Sequence, residues 1–150
     1  MTELFYPSNL SKPMPVFLGG STAKGDWQKK VVAAFEDTHI PFINTSRPDW
    51  DVVEPNREQK NEHIAWEFNW QKRVLNHFIC IPADAKSPTV MLELGLAISC
   101  HGNAVVFIDP EYSHFHNARI ACETYGVRVF TDFDEAVEKL KDLFLTSRLF

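Results

Sequence analysis

Five short apolar runs, separated by segments with helical periodicity, most constrain the fold of this chain. The runs cover residues 16–18, 41–44, 77–82, 104–108 and 127–130. Their length and continuous apolar character are typical of strands buried on both faces. Between them, apolar residues recur at the three-and-four spacing of amphipathic helices. Strands that alternate with helices predict an α/β protein with a parallel sheet covered on both sides.

Five parallel strands favour the order 2-1-3-4-5 of a flavodoxin-like, Rossmann-like three-layer sandwich. In that order the chain reverses direction between strands 1 and 3, and ligands bind at the carboxyl ends of the strands that flank the reversal. The loops at that position are residues 19–22 and 83–87. We therefore expect a ligand crevice between these two loops.

Length and charge limit the remaining possibilities. With 150 residues the chain has the length of one compact domain, predicted here as residues 15–150 after an extended lead-in of residues 1–14. Its net charge of -5 argues against general binding to nucleic acid or to anionic membranes. No run approaches the roughly 18 apolar residues of a membrane helix, and residues 1–15 lack the apolar core of a signal peptide. We expect a cytoplasmic protein.

The cysteines and histidines do not predict a metal site. Cys80, Cys100 and Cys122 are odd in number, far apart and in apolar contexts, so we interpret them as reduced, packed thiols. The histidines lack the spacing of metal ligands, with His114 and His116 on a loop as a weak exception.

An acid within an apolar helix is the first candidate for chemistry. Ser87 is predicted to cap this helix and Pro88 to take its first position. Glu93 follows among aliphatic and Met neighbours, where a carboxylate must be paired, close to water or raised in pKa. The alternative is a carboxylate that interacts only with the helix end or with a nearby Arg. The predicted crevice immediately before this helix favours a functional role.

The glycine loop after the first strand is the second candidate. Gly19, Gly20, Ser21 and Thr22 precede Asp26, which is predicted to cap a helix that runs to about residue 37. The loop matches neither Gly-x-Gly-x-x-Gly nor Gly-Lys-Ser/Thr, so a Walker ATPase or a standard dinucleotide binder is not predicted. Glycine lets backbone amides approach a ligand closely; a plain tight turn is the alternative.

A second acid lies on the helix that Asn56 and Gln59 open as a capping box and that is predicted to run to about residue 76. Glu67 shares a face of this helix with its apolar residues, namely Ile64, Trp70 and Val74, and with Gln71. The ordinary alternative is a solvated glutamate paired with Lys60 or Arg73.

The chain resembles the nucleoside 2-deoxyribosyltransferase-like family, which includes nucleoside deoxyribosyltransferases and nucleotide N-glycosidases. The matching elements are Phe17-Leu18-Gly19-Gly20-Ser21 with Asp26-Trp27, residues 44–48, Trp66-Glu67, Leu92-Glu93-Leu94-Gly95, and Asn117 before Tyr125-Gly126. The Glu-Leu-Gly element is the most specific. The resemblance implies that Glu93 is the nucleophile and that a second acid lies on the preceding helix, which we place at Glu67. A one-turn ambiguity in the alignment of this helix leaves Asn69 as a less attractive candidate.

The resemblance further implies cleavage or transfer at the N-glycosidic bond of a (deoxy)nucleoside or nucleotide, as a transferase or a hydrolase (glycosidase) of nucleotide metabolism, with no cofactor. A catalytically silent nucleotide-binding or sensing module is the alternative. The resemblance also implies homo-oligomers in which a neighbouring subunit completes the site, and residues 112–117 are the candidates for this contribution. The chain departs from the family where it has Asn44-Thr45-Ser46-Arg47 instead of Asn-Pro-Arg, and Ser87 instead of an aspartate. The expected substrate contacts are Gly19, Gly20, Ser21, Thr22, Asp26, Asn44, Arg47, Asp84, Ser87 and Asn117.

Overall fold

The computed structural model describes residues 15–21, 26–47, 50, 52–100 and 102–147, so the predicted lead-in of residues 1–14 lies outside the described residues. Within these ranges strands and helices alternate throughout. They are β1 (Val16–Gly20), α1 (Asp26–Ala34), β2 (Phe42–Asn44), α2 (Arg57–Gln71), β3 (Asn76–Ile81), α3 (Thr89–Ile98), β4 (Asn103–Ile108), α4 (Phe115–Thr124), β5 (Val129–Phe130) and α5 (Phe133–Ser147).

The five strands form one parallel sheet in the order β2-β1-β3-β4-β5, which confirms the predicted α/β flavodoxin-like topology. The order places β1 in the interior of the sheet, between β2 and β3, because the chain crosses over β1 on the way to β3. The carboxyl ends of β1 and β3 are therefore neighbours at the reversal point.

Helices cover both faces of the sheet. On one face Val31 of α1 and Leu140 of α5 pack with Leu18 and Phe78 of the sheet. On the other face, α3 and α4 pack on alternate residues of β3 and β4, and Trp70 of α2 packs against Phe17. Because successive strand residues point to opposite faces, Phe17 points toward α2 while Leu18 points toward α1 and α5.

Two helices end earlier than predicted. The helix α2 ends at Gln71, not near residue 76, and Val74 instead donates its amide to the Trp70 carbonyl in a turn. The carbonyl of Leu75 is then available to accept from the amide of Asn103 at the start of β4, which requires an extended rather than a helical chain. The helix α1 likewise ends at Ala34, and a turn follows it where the prediction continued the helix to residue 37.

The start of α3 is one residue later than predicted. Pro88 stands at the cap position with helical dihedral angles, and Thr89 is the first helical residue. The Ser87 hydroxyl accepts a hydrogen bond from the Thr89 amide at 3.3 Å, so Ser87 still satisfies one of the free amides of this helix end. The capping box of Asn56 and Gln59 at the start of α2 is confirmed, with both reciprocal hydrogen bonds present.

Candidate active site

Glu93 lies at the reversal point, where α3 packs against the carboxyl end of β1. Its side chain is 4% exposed, and its Oε2 accepts a hydrogen bond of 2.6 Å from the backbone amide of Gly20. The acid predicted to be out of place in an apolar helix is therefore buried and held by one short hydrogen bond to the glycine loop.

The two glycines of β1 make room for this carboxylate. A Cβ on Gly19 would lie 3.1 Å from Glu93 Oε2 and 2.8 Å from Cδ1 of Ile79. Gly20 has a φ of +110°, and a Cβ there would lie 2.1 Å from the carbonyl oxygen of Cys80. Only glycine fits at position 20, because both the left-handed dihedral and the contact with a fixed backbone oxygen exclude a side chain.

Burial raises the pKa of Glu93 to about 7, because the charged form loses its hydration. The hydrogen bond from Gly20 favours the charged form and works against this rise, whereas the nearby charge of Glu67 adds to it. Glu93 is therefore a carboxyl that exchanges its proton near neutral pH, as a group selected for chemistry often does.

Glu67 faces the same cavity from α2. Its side chain is 12% exposed, and its Oε1 lies 2.8 Å from Nε2 of His63, one turn earlier on the same helix. Asn69, the alternative for the second acid, is exposed and donates its side-chain amide to the Ala65 carbonyl. Of the two candidates, Glu67 lines the cavity of Glu93 and Asn69 does not.

A cavity of about 360 Å³ joins the two acids. This volume lies within the range of small-molecule sites, which is roughly 300–1,000 Å³. Its lining comes from the glycine loop, α2, the β3–α3 loop and α3, and consists of Gly20, Ser21, Ile64, Glu67, Asp84, Lys86, Ser87, Thr89, Val90 and Glu93. Buried Glu93 and half-buried Glu67 thus share one space with exposed hydroxyl, amine and carboxylate groups.

A protein-family comparison agrees with this geometry. The family model described as nucleoside 2-deoxyribosyltransferase like matches residues 13–112, two thirds of the chain. The chain belongs to the nucleoside 2-deoxyribosyltransferase-like family. The matched range of this family extends from before β1 to beyond β4 and includes both Glu67 and Glu93. A comparison with curated proteins gives no match.

Of the site residues predicted from the sequence, six line the cavity, namely Gly20, Ser21, Glu67, Asp84, Ser87 and Glu93. Gly19 lies directly behind the Glu93 carboxylate, and Thr22 lies outside the described residues. The amide of Gly20, which we expected to approach a ligand, is instead engaged by Glu93.

Four predicted contacts are not brought to this cavity. Asp26 is exposed at the start of α1, and Asn117 is exposed on α4 beyond the matched range. The guanidinium of Arg47 lies 4.4 Å above the ring of Trp50. Asn44 lines a separate cavity of about 710 Å³ beside α1. Substrate contacts by these four side chains stay predictions.

The register of the sheet explains the position of Asn44. Asn44 pairs with Leu18, so both side chains point to the face covered by α1 and α5. Glu93 lies on the opposite face with α3. Asn44 also uses its Oδ1 to accept from the Ser46 amide, which closes the turn after β2.

The backbone of Ser21 is engaged within the protein. Its amide donates to the carbonyl oxygen of Cys80, and its own carbonyl accepts from the indole of Trp27 at 2.6 Å and from the amide side chain of Gln28 at 3.5 Å. These bonds connect the end of β1 to β3 and to α1. The glycine loop is thereby held in the position that supports Glu93.

The rings of Trp27, Trp50, Trp66 and Tyr112 contact other groups of the protein. Trp27 packs near Phe78, and Tyr112 is buried with the α3 and α4 core. Trp50 and Trp66 both contact the ring of His63.

Sequence reasoning missed His63 and Gln71 as members of the site. Gln71 donates its side-chain amide to the Glu93 carbonyl at 2.9 Å and so connects α2 to α3. The spacing of four residues between His63 and Glu67 was the available signal, because such residues are neighbours on a helix. His63 was instead considered only as a metal ligand.

The described residues contain no group of three or more His, Cys, Asp or Glu side chains placed to hold a metal ion. Cys80 and Cys122 are buried free thiols, and burial raises the pKa of both. None of the described helices is both long and apolar enough to cross a membrane.

Proposed function

We propose that this protein cleaves or transfers the N-glycosidic bond of a deoxynucleoside or nucleotide, with Glu93 as the nucleophile. The observation that carries the proposal is a buried carboxylate, hydrogen-bonded to Gly20, that shares a cavity with a second carboxylate. Membership of the nucleoside 2-deoxyribosyltransferase-like family supports the same chemistry.

In the first step, an oxygen of ionised Glu93 attacks C1′ of the sugar. The bond from C1′ to the base nitrogen breaks, its electron pair leaves with the base, and the base takes up a proton. In the second step, water or a nitrogen of another base attacks C1′ from the face that the first base left, its proton passes to the carboxylate that protonated the departing base, and the Glu93 carboxylate is released. Two inversions give net retention of configuration.

The second carboxylate has a distinct task in this scheme. Glu67 accepts a hydrogen bond from a sugar hydroxyl and orients C1′, while the exposed Asp84 is the candidate for delivering the proton to the base. Lys86 and the Ser87 hydroxyl supply a cation and a donor for a 5′-phosphate if the substrate is a nucleotide.

The test is a panel of deoxynucleosides and deoxynucleotides, each with and without a free acceptor base, in which base release and base exchange are followed by chromatography. We expect the wild type to turn over at least one of them and Glu93→Gln to be slower by at least about a thousandfold. Glu62→Gln, an exposed glutamate on α2, is the matched control and should be unchanged. Wild-type rates in Glu93→Gln would remove Glu93 from the mechanism.

A catalytically silent nucleotide-binding module is the second candidate. It is favoured by the positions of Asn44 and Arg47, which lie outside the Glu93 cavity and leave it with fewer ligand contacts than we expected. Calorimetric binding of a nucleotide, together with no turnover over the whole panel, would support this candidate over the enzyme.

A further inference from the structure

His63 contacts the second carboxylate and the backbone of a different segment with the same nitrogen. Its Nε2 lies 2.8 Å from Oε1 of Glu67 and 3.3 Å from the carbonyl oxygen of Thr45. Both partners are hydrogen-bond acceptors when Glu67 is ionised, so this nitrogen must carry a proton. The tautomer of His63 is therefore set by its surroundings.

The ring of His63 is held by two tryptophans. The Trp66 ring stacks on it at a centroid distance of 5.3 Å and an interplanar angle of 19°, and the Trp50 ring meets it edge-on at 4.9 Å and 73°. The guanidinium of Arg47 covers Trp50 in turn. Only 11% of the His63 side chain is exposed. Such packing leaves the ring little freedom to rotate away from Glu67.

The carbonyl that anchors His63 is itself fixed to the sheet. Thr45 is buried directly after β2, and its hydroxyl donates to the Leu18 carbonyl of β1 at 3.2 Å. A continuous path of contacts thus runs from β1 through Thr45 and His63 to Glu67.

This path has a consequence for the two acids. Glu67 and Glu93 are like charges that line one cavity, together with Asp84 and Lys86 of the β3–α3 loop. A donor at Oε1 fixes the orientation of the Glu67 carboxylate and leaves Oε2 able to accept from a ligand. Without that donor, repulsion between the two acids would favour a Glu67 side chain that is turned away from Glu93.

We propose that His63 is a positioning residue, whose Nε2–H holds the Glu67 carboxylate in the orientation in which Glu67 Oε2 accepts a hydrogen bond from a sugar hydroxyl of the substrate. The hydrogen bond between Glu67 and a sugar hydroxyl rests on the function proposed above. The positioning of Glu67 by His63 does not, because it is a property of the protein without ligand.

Two substitutions of His63 test the role of its hydrogen-bond donor separately from the role of its aromatic ring. His63→Gln replaces the ring by an amide whose Nε2 can still donate to Glu67, whereas His63→Phe keeps an aromatic ring between the tryptophans and removes the donor. His39→Phe, at an exposed histidine outside the cavity of Glu93, is the control. Thermal unfolding establishes that all variants fold.

The first measurement needs no turnover. Crystal structures of the ligand-free variants, grown at one pH, locate the Glu67 carboxylate. We expect Glu67 to face the Glu93 cavity in the wild type, in His63→Gln and in His39→Phe, and to turn away from it in His63→Phe, because only His63→Phe lacks a donor for Oε1. An unmoved Glu67 side chain in His63→Phe would overturn the proposal.

The second measurement uses a substrate found by the panel. We expect kcat/KM to fall about 10- to 100-fold in His63→Phe, because that variant loses a hydrogen bond to a charged group. In His63→Gln, which keeps a donor, kcat/KM should stay within a few fold of the wild type. Equal losses in both variants would show that the ring alone matters and would overturn the role of the donor. If the panel shows no turnover but Glu67 turns away from the cavity in His63→Phe alone, the proposed enzyme activity fails while the positioning of Glu67 by His63 stands.

Discussion

Replacing the buried acid by its amide should make this protein more stable at alkaline pH. In the folded protein, burial raises the pKa of Glu93 to about 7 from 4.5, its ordinary value. Between these two pH values the folded state keeps a proton that the unfolded state has released. The stability that the protonated Glu93 contributes is therefore fully present below pH 4.5 and is lost as the pH rises through about 7.

The size of the effect follows from the same two values. A rise from 4.5 to about 7 corresponds to about 3 kcal/mol of unfolding free energy at 1.36 kcal/mol per unit. Screening by solvent reduces it little, because the side chain is 4% exposed. A glutamine has the same shape, carries no charge at any pH, and its Oε1 can still accept from the Gly20 amide. We expect Glu93→Gln to exceed the wild type by about 2–3 kcal/mol at pH 8 and by little at pH 4.5.

Urea unfolding monitored by tryptophan fluorescence at both pH values measures this difference, with Glu62→Gln as the control for loss of an exposed carboxylate. Gain of stability with loss of activity would identify Glu93 as a residue kept for function at the expense of stability. Equal unfolding free energies for Glu93→Gln and the wild type at pH 8 would refute the reasoning, since the ionised carboxylate would then carry no burial cost.

Three further predictions follow from the same region and from the core. Gly20→Ala should destabilise the protein by about 3 kcal/mol or more, because its Cβ would meet the Cys80 carbonyl. Gly126→Ala, at a φ of +74° with open space around it, should cost only about 1–2 kcal/mol. Thermal unfolding compares the two variants, and equal losses of stability would contradict the clash at Gly20. His77 is 1% exposed and burial lowers its pKa to about 4, so neutral His77 contributes about 3 kcal/mol of stability that is lost as the pH falls from 6.5 to 4, opposite in sign to the contribution of Glu93. Between pH 7 and pH 4, His77→Leu should therefore gain about 3 kcal/mol relative to the wild type in urea unfolding, and parallel pH dependences of the two proteins would contradict this prediction. For any substrate that turns over, kcat/KM should rise with pH through about 7 as Glu93 ionises, and a fall over that range would indicate that Glu93 acts as a protonated acid.

The features that the sequence predicts well are those with a local pattern. The strand order follows from short apolar runs that alternate with helices, and Glu93 is conspicuous because a charge in an apolar helix needs a reason. Glu67 follows from helical spacing, which places it on the apolar face of α2. Each strand, Glu93 and Glu67 is marked by a pattern within its own segment, and the strand order follows from the alternation of these segments.

The features that sequence reasoning missed depend on contacts between segments. The Thr45 carbonyl meets His63 only because β2 lies beside β1, and the Gly20 amide meets Glu93 only because α3 packs on the end of β1. Asn44 was expected in the site because it begins one of the elements that resemble the family, but its pairing with Leu18 turns it to the other face. Side-chain direction at a strand end depends on register, which a motif alone does not specify.

The central claim is that Glu93 bonds to the sugar during turnover. It is tested most directly by mass spectrometry of protein quenched after mixing with a 2′-fluorinated deoxynucleoside, whose fluorine slows breakdown of the glycosyl ester, followed by peptide mapping. The account predicts one glycosyl group on the peptide that contains Glu93, and none in Glu93→Gln. Release of base from the natural substrate by an enzyme that is labelled on another residue, or not labelled, would contradict it.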